Sequence, residues 1–210
     1  WVIRYVHTAS GCPIYKDTFL RINPLPNLVL NRIDDRYCDN NSDVLLQATP
    51  SGSSGIWSAS DPSALIGGNS LSPRNATTKG AEITLFYTYS NPATGCSNID
   101  SLSTWIDAAP LLNLPAEDSF CYLTSGIPVS KSFTISSENS AGLTWFASNA
   151  YGNQSRISVG TLSTLNPSTG NITFTPERGR DTFRITTVAV GQGACPDYAD
   201  FFDVLFYLDP

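Results

Sequence analysis

ITLFYTYSNPATGCSNIDSLSTWIDAAP, residues 83–110, is the stretch that decides how this chain folds. Ile83-Thr84-Leu85-Phe86-Tyr87 alternates between two faces, the period of a half-buried strand. The run stops at Asn91-Pro92, turns through Gly95-Cys96 and resumes as Ser101-Leu102-Ser103-Thr104-Trp105-Ile106 before Pro110. Gly, Pro and Asn between two alternating runs mark a hairpin. The same order of strand, turn, Cys, strand and Pro occurs twice more. Ile3-Arg4-Tyr5-Val6 leads to Gly11-Cys12, Thr18–Ile22 and Pro24; Phe183–Val188 leads to Ala194-Cys195, Phe202–Phe206 and Pro210.

A second series lies between the hairpins. Tyr37-Cys38 and Phe120-Cys121 each open a unit, and Gly55-Ile56-Trp57-Ser58-Ala59-Ser60 returns as Gly142-Leu143-Thr144-Trp145-Phe146-Ala147-Ser148. The repeat is roughly 84 to 100 residues long, the size of one sandwich domain rather than a solenoid turn. Six or seven short strands fit in each unit. The fold class expected is all-β: tandem immunoglobulin-like antiparallel β-sandwiches with one disulfide per domain. Residues 1–26 read as the C-terminal hairpin of a preceding domain, 27–109 as one domain and 110–210 as another. Both ends read as cuts within a longer chain. The links Asn23-Pro24-Leu25-Pro26 and Ala108-Ala109-Pro110 are short and proline-stiffened, which predicts domains standing end to end as a rod.

Composition narrows the function classes. A chain with 41% hydrophobic and 11% aromatic residues can build real cores, while only 14% charged residues leaves Ser, Thr, Asn, Gly and Pro to fill turns. With a net charge of −6 and no cluster of Lys or Arg, nothing is grouped to neutralise a phosphate backbone, so no nucleic acid partner is expected. No apolar run approaches the roughly 18–20 residues that cross a bilayer, so this segment is not expected to insert into a membrane.

Five cysteines are an odd number, and the repeat predicts Cys38 with Cys96, Cys121 with Cys195, and Cys12 with a cysteine outside the segment, in its own domain. Such pairing implies an oxidising compartment, and each loop would stabilise its domain by about 4 kcal/mol in the chain-entropy model. Buried free thiols are the alternative. The cysteines are too far apart in sequence for zinc, and His7 is the only histidine. Trp57 and Trp145 fall where a sandwich keeps a large ring between its sheets, so they read as core rather than as sugar platforms.

No nucleophile with a base, no carboxylate pair and no phosphate loop has a signature here, so no catalytic residue is proposed. His7 reads as structural or surface. Ser51-Gly52-Ser53-Ser54-Gly55 lacks the Lys of a phosphate loop. Asp39, Asn40, Asn41, Ser42 and Asp43 crowd hard oxygens together, the one place suited to Ca²⁺, although runs of this kind are ordinary turn formers. Asn40, Asn75, Asn153 and Asn171 match the N-glycosylation acceptor pattern.

The aromatic-Cys pair, Leu46-Gln47-Ala48-Thr49-Pro50-Ser51-Gly52, Trp57-Ser58 and Gly95-Cys96-Ser97-Asn98 together resemble the immunoglobulin-like repeats of giant Bacteroidota cell-surface proteins. That group includes gliding-motility adhesins exported by type IX secretion. Residues 27–109 carry most of the resemblance; residues 110–210 match mainly at Cys121, Trp145 and Cys195. The resemblance implies an extracellular, cell-surface adhesive filament whose partners are neighbouring repeats of the same chain, surface glycans or other copies of the filament. It also implies O-glycosylation at Asp-Ser/Thr-apolar sites, which Ser101 fits and Thr18 fits more loosely. Unlike antibody domains, Cys96 and Cys195 follow the turn after the penultimate strand, so each disulfide should staple one end of a sandwich. Two other readings compete. One is an accessory domain pair of a secreted polysaccharide-degrading enzyme, binding glycan through Trp1, Trp105 or Tyr151. The other is an Ig-type receptor ectodomain fragment with Asn75 and Asn171 glycosylated.

Overall fold

The computed structural model of the chain describes residues 1–149, 157–159, 168–177 and 179–209. It begins with a free-standing hairpin of β1 (Val2–Ala9) and β2 (Cys12–Phe19). Ser10 and Gly11 turn between them, both with positive φ, the pair of dihedrals that matches the twist of adjoining strands. The next sandwich contains β3 (Val29–Leu30), β4 (Arg36–Cys38), β5 (Val44–Leu45), β6 (Ala48–Thr49), β7 (Gly55–Ala59), β8 (Leu65–Ile66), β9 (Ser70–Leu71), β10 (Ala81–Ser90) and β11 (Ser97–Asp107). The last contains β12 (Leu111–Asn113), β13 (Asp118–Tyr122), β14 (Val129–Glu138), β15 (Gly142–Asn149), β16 (Ile157–Val159), β17 (Ser168–Phe174), β18 (Arg180–Val190) and β19 (Tyr198–Leu208).

Strand order in the last sandwich identifies the fold. One sheet runs β12-β14-β17-β16 and the other β13-β19-β18-β15. In chain order these are a first, second, fifth and fourth strand facing a third, sixth and seventh, the immunoglobulin arrangement. The first strand is split in two: β12 pairs antiparallel with β14, and β13 then crosses to pair parallel with β19. The chain is therefore all-β and immunoglobulin-like. The middle sandwich keeps the same main sheet, β4-β11-β10-β7, with β4 parallel to β11. Its opposite side is broken into short pairings, β3-β6 and β5-β9-β8, with 3₁₀ turns at Pro62–Ala64 and Pro73–Asn75.

Alternation along the long strands builds both cores. Phe183 and Ile185 on β18 and Phe202, Val204 and Phe206 on β19 point inward and meet Phe133, Ile135, Ile172 and Phe174. Phe174 lies 5.1 Å from both Phe183 and Phe206, ring centre to ring centre, the offset spacing aromatic rings favour. In the middle sandwich Ile83, Leu85 and Tyr87 face Leu46, Leu71 and Ile106. Trp57 stands 4.9 Å from the Tyr87 ring, whose hydroxyl donates to Pro50 O at 2.7 Å. Trp57 and Trp145 occupy corresponding third-strand positions, and both are buried.

Trp145 and Thr187 are paired in register, and among the described residues neither Trp145 Nε1 nor Thr187 Oγ1 has a hydrogen-bond partner. A buried hydroxyl without a partner costs free energy that an isosteric methyl does not. Thr187→Val should therefore stabilise the last sandwich by about 0.5–1 kcal/mol, measured as a rise in its denaturant midpoint.

The cysteines do not pair as the repeat predicted. The structure bonds Cys38 to Cys195 and leaves Cys12, Cys96 and Cys121 free. The expected Cys38–Cys96 and Cys121–Cys195 bonds are excluded by strand direction. Because β4 runs parallel to β11, Cys38 sits beside Asp107 at the end of that strand, whereas Cys96 precedes its first residue, Ser97. The length of β11 separates them, about 35 Å at 3.3 Å per residue, against a Cα limit of about 7 Å for a disulfide. Cys121 likewise lies beside Tyr207, at the far end of β19 from Cys195.

Candidate functional site: the joint between the sandwiches

Two ends that could not meet within one sandwich meet between two. The end of β11 in the middle sandwich abuts the β18–β19 turn of the last one, with the Cys38 and Cys195 Cα atoms 4.7 Å apart. Asp107, the last residue of β11, organises the contact. Its buried carboxylate takes Arg36 Nε at 3.0 Å and Arg36 Nη2 at 2.5 Å, and accepts the Ala194 N–H of the next sandwich at 2.8 Å. Its main-chain oxygen accepts from Asp39 N at 2.9 Å and lies 3.6 Å from Cys195 Sγ. The connecting residue Ala109 is held from both sides: its N–H donates to Asp39 Oδ1 at 3.0 Å, and its carbonyl accepts from Asn139 Nδ2 at 3.3 Å. Lys79 pairs with the other Asp39 oxygen at 2.5 Å.

The bidentate Arg36 guanidinium holds the Asp107 carboxyl below the usual carboxylate range, against burial, with the Ala194 N–H adding to the effect. The depressed carboxyl stabilises the middle sandwich through Arg36, and the joint through the Ala194 N–H, at every pH above its unfolded value, about 3.9. That stabilisation is lost as pH falls through the lower folded value.

Gly193 fits the joint for two reasons. Its φ is +58°, and a Cβ there would overlap the Asp107 carboxylate. Gly193→Ala should weaken the closed joint, because its Cβ would meet the Asp107 carboxylate, and shift the equilibrium for reducing Cys38–Cys195 toward the dithiol by about tenfold, about 1.4 kcal/mol. Titration with a dithiol buffer measures it.

Other residues singled out in the sequence fall elsewhere. His7 is exposed on β1, opposite Ile14. Ser101 on β11 and Thr18 on β2 are exposed. Trp1 is 84% exposed; Trp105 is half-buried, with the Arg36 guanidinium 5.2 Å from its ring centre. Asn40, Asn75 and Asn171 are exposed, and Tyr151 and Asn153 lie outside the described residues. In the oxygen-rich turn, both Asp39 oxygens are engaged as above, and Asn41 Oδ1 accepts from Cys38 N at 2.8 Å. Ligand atoms of Cys38, Asp39 and Cys195 lie within 4.8 Å of one another, but the two sulfurs are bonded together and offer no thiolate for a metal. No helix among the described residues is long and apolar enough to cross a membrane.

The sequence reading missed Asp107, Arg36 and the joint itself. The only sequence signal was position: in each hairpin a Cys follows the turn, and in two of them a polar residue, Asn23 or Asp107, follows that Cys at the same interval, ahead of a Pro.

No protein-family model and no curated protein matches the sequence. Among solved structures, the chain is similar to an I-band fragment of titin (10% identity over 89% of this chain and 66% of that one, TM-score 0.46). It is similar to Drosophila N-cadherin (13% identity, 89% and 50%, TM-score 0.45). It is also similar to a SusE-like surface-located polysaccharide-binding protein of Bacteroides thetaiotaomicron (15% identity, 86% and 34%, TM-score 0.30). The chain spans less than two thirds of each of these. The likeness is one of fold, and the immunoglobulin-like assignment rests on the strand order described above.

Proposed function

We propose that residues 27–109 and 110–210 are consecutive beads of an extracellular array, that residues 1–26 close a third bead, and that the array's work is mechanical. The observation supporting this most strongly is the joint. Sheet end meets hairpin turn head to tail, through the Asp107 carboxylate on Ala194 N, the Asn139 side chain on Ala109 O and a covalent bond. A joint so fixed transmits force and orientation, whereas a flexible tether would leave the beads to swing. The disulfide suits an oxidising compartment. The sequence resemblance supports the finer reading: a non-enzymatic segment of a cell-surface adhesin of the gliding-motility type, exported by type IX secretion, with Ser101 and Thr18 as exposed positions for O-glycans.

An antibody raised against residues 27–210 tests the array on native protein in a denaturing, non-reducing gel. A band of hundreds of kilodaltons is expected. A band near the 22.6 kDa of this segment overturns the filament reading.

A further inference from the structure

We propose that the Cys38–Cys195 bond is one rung of a ladder, in which the edge-strand cysteine of each bead is bonded to the hairpin cysteine of the next. This rests on the array reading and adds a rule for the three cysteines that are free in the structure.

The hairpin β1–β2 is half of a sandwich. Arg4 pairs with Asp17 across it as Arg184 pairs with Asp203 across β18–β19. Superposing those pairs aligns Ile3 and Tyr5 with Phe183 and Ile185. The latter two are fully buried, while Ile3 and Tyr5 are 52% and 64% exposed. A two-stranded hairpin with an open apolar face is at best marginally stable in water. The occupant that fits is the remainder of the same domain, including an edge strand parallel to β2 as β4 is to β11 and β13 is to β19.

That strand would arrive at a prepared place. Asn23 follows Cys12 by the same interval at which Asp107 follows Cys96. Cys96 Sγ lies 3.9 Å from Asn23 O, as Cys195 Sγ lies 3.6 Å from Asp107 O. Asn98 Nδ2 donates to Pro26 O at 2.9 Å, seating the middle sandwich on the link below the hairpin. In the joint that is complete, the residue beside Asp107 is Cys38. A cysteine at the corresponding point beside Asn23 would face Cys96. At the other end Cys121 is exposed beside Tyr207, placed to meet the hairpin cysteine of a following bead. The same rule sends Cys12 to the edge strand one bead earlier, not to its own domain.

Each rung forms when two thiols lose two protons and two electrons to a disulfide donor, which is reduced to a dithiol, by thiol–disulfide exchange. Successive loops overlap, so tension passes from rung to rung through short stretches such as Cys96 to Cys121.

Disulfide mapping of the native full-length protein tests the ladder: alkylation with iodoacetamide under denaturing, non-reducing conditions, then proteolysis and mass spectrometry. Cys96 should be almost wholly protected until reduction, and linked to an edge-strand peptide from outside residues 1–210. Cys12 and Cys121 should be linked likewise to peptides outside the segment. Alkylated Cys96, or Cys96 bonded to Cys12, Cys38 or Cys121, overturns the ladder. If further beads precede Trp1 and Cys96 is still alkylated, the ladder fails and the array stands. If no polypeptide precedes Trp1, both fail.

Discussion

Replacing Asp61 with alanine should strongly destabilise the middle sandwich, costing about 3–5 kcal/mol, because three buried main-chain N–H groups lose a charged acceptor at about 1–3 kcal/mol each. Its carboxylate is 6% exposed and accepts four hydrogen bonds: from Ser63 N at 3.0 Å, Thr77 N at 2.7 Å, Thr77 Oγ1 at 2.8 Å and Thr78 N at 3.0 Å. It thereby ties the first 3₁₀ turn to the segment after the second, where regular strand pairing is sparse. Alanine leaves three main-chain N–H groups without their acceptor. At about 4–8 °C per kcal/mol for a domain of this size, the melting transition of the middle sandwich should fall by more than 10 °C. Burial pushes the Asp61 carboxyl up, but the bonds from Thr78, Thr77 and Ser63 together outweigh it and hold it below its ordinary value. Its contribution is therefore complete above about pH 4 and is lost as acid protonates the folded state. Asp61→Ala should reduce the acid sensitivity of that transition, leaving the share that belongs to Asp107 and Arg36.

The second large effect concerns the joint, which is locked twice. Reduction alone leaves the Asp107 carboxylate on Ala194 N and Asn139 on Ala109 O, and Asp107→Ala alone leaves the disulfide. Each single change should leave the two sandwiches tumbling together in ¹⁵N relaxation measurements. Reduction of the Asp107→Ala variant should let them reorient separately, with the correlation time dropping toward that of one sandwich. Separate tumbling after reduction alone would assign the joint entirely to the disulfide.

Much of the fold is legible in local chemistry. The three hairpins announce themselves because alternation and turn residues are short-range signals, and Ser10-Gly11, Asn91-Pro92 and Gly191–Gly193 sit where the strands reverse. Trp57 and Trp145 are recognisable from their recurrence between alternating strands. The cysteine pairing is not legible, because it depends on the direction of an edge strand. Tyr37-Cys38 reads the same whether β4 runs parallel or antiparallel to β11, yet one choice puts Cys38 at the turn and the other puts it at the opposite end, against the next sandwich. The cysteine count does not decide between them, since own-domain and next-domain rules both leave unpaired sulfurs in this segment. Asp61 was invisible for a related reason. Asp61-Pro62-Ser63 is a plain turn signal, and the donors that make it a keystone come from Thr77 and Thr78, across a stretch where the strands are only two residues long.

Stretching the chain by its two ends in a single-molecule force experiment tests the covalent joint most directly. With Cys38 bonded to Cys195, the intervening stretch, a separation of 157 residues, is shielded from load even when both sandwiches unfold. Adding a reductant under tension should release it in one step of about 520–570 Å, at 3.3–3.6 Å per extended residue. Two smaller steps would mean that each sandwich closes its own disulfide, and no added length on reduction would mean that the two sandwiches are not bonded; either result contradicts the stapled joint.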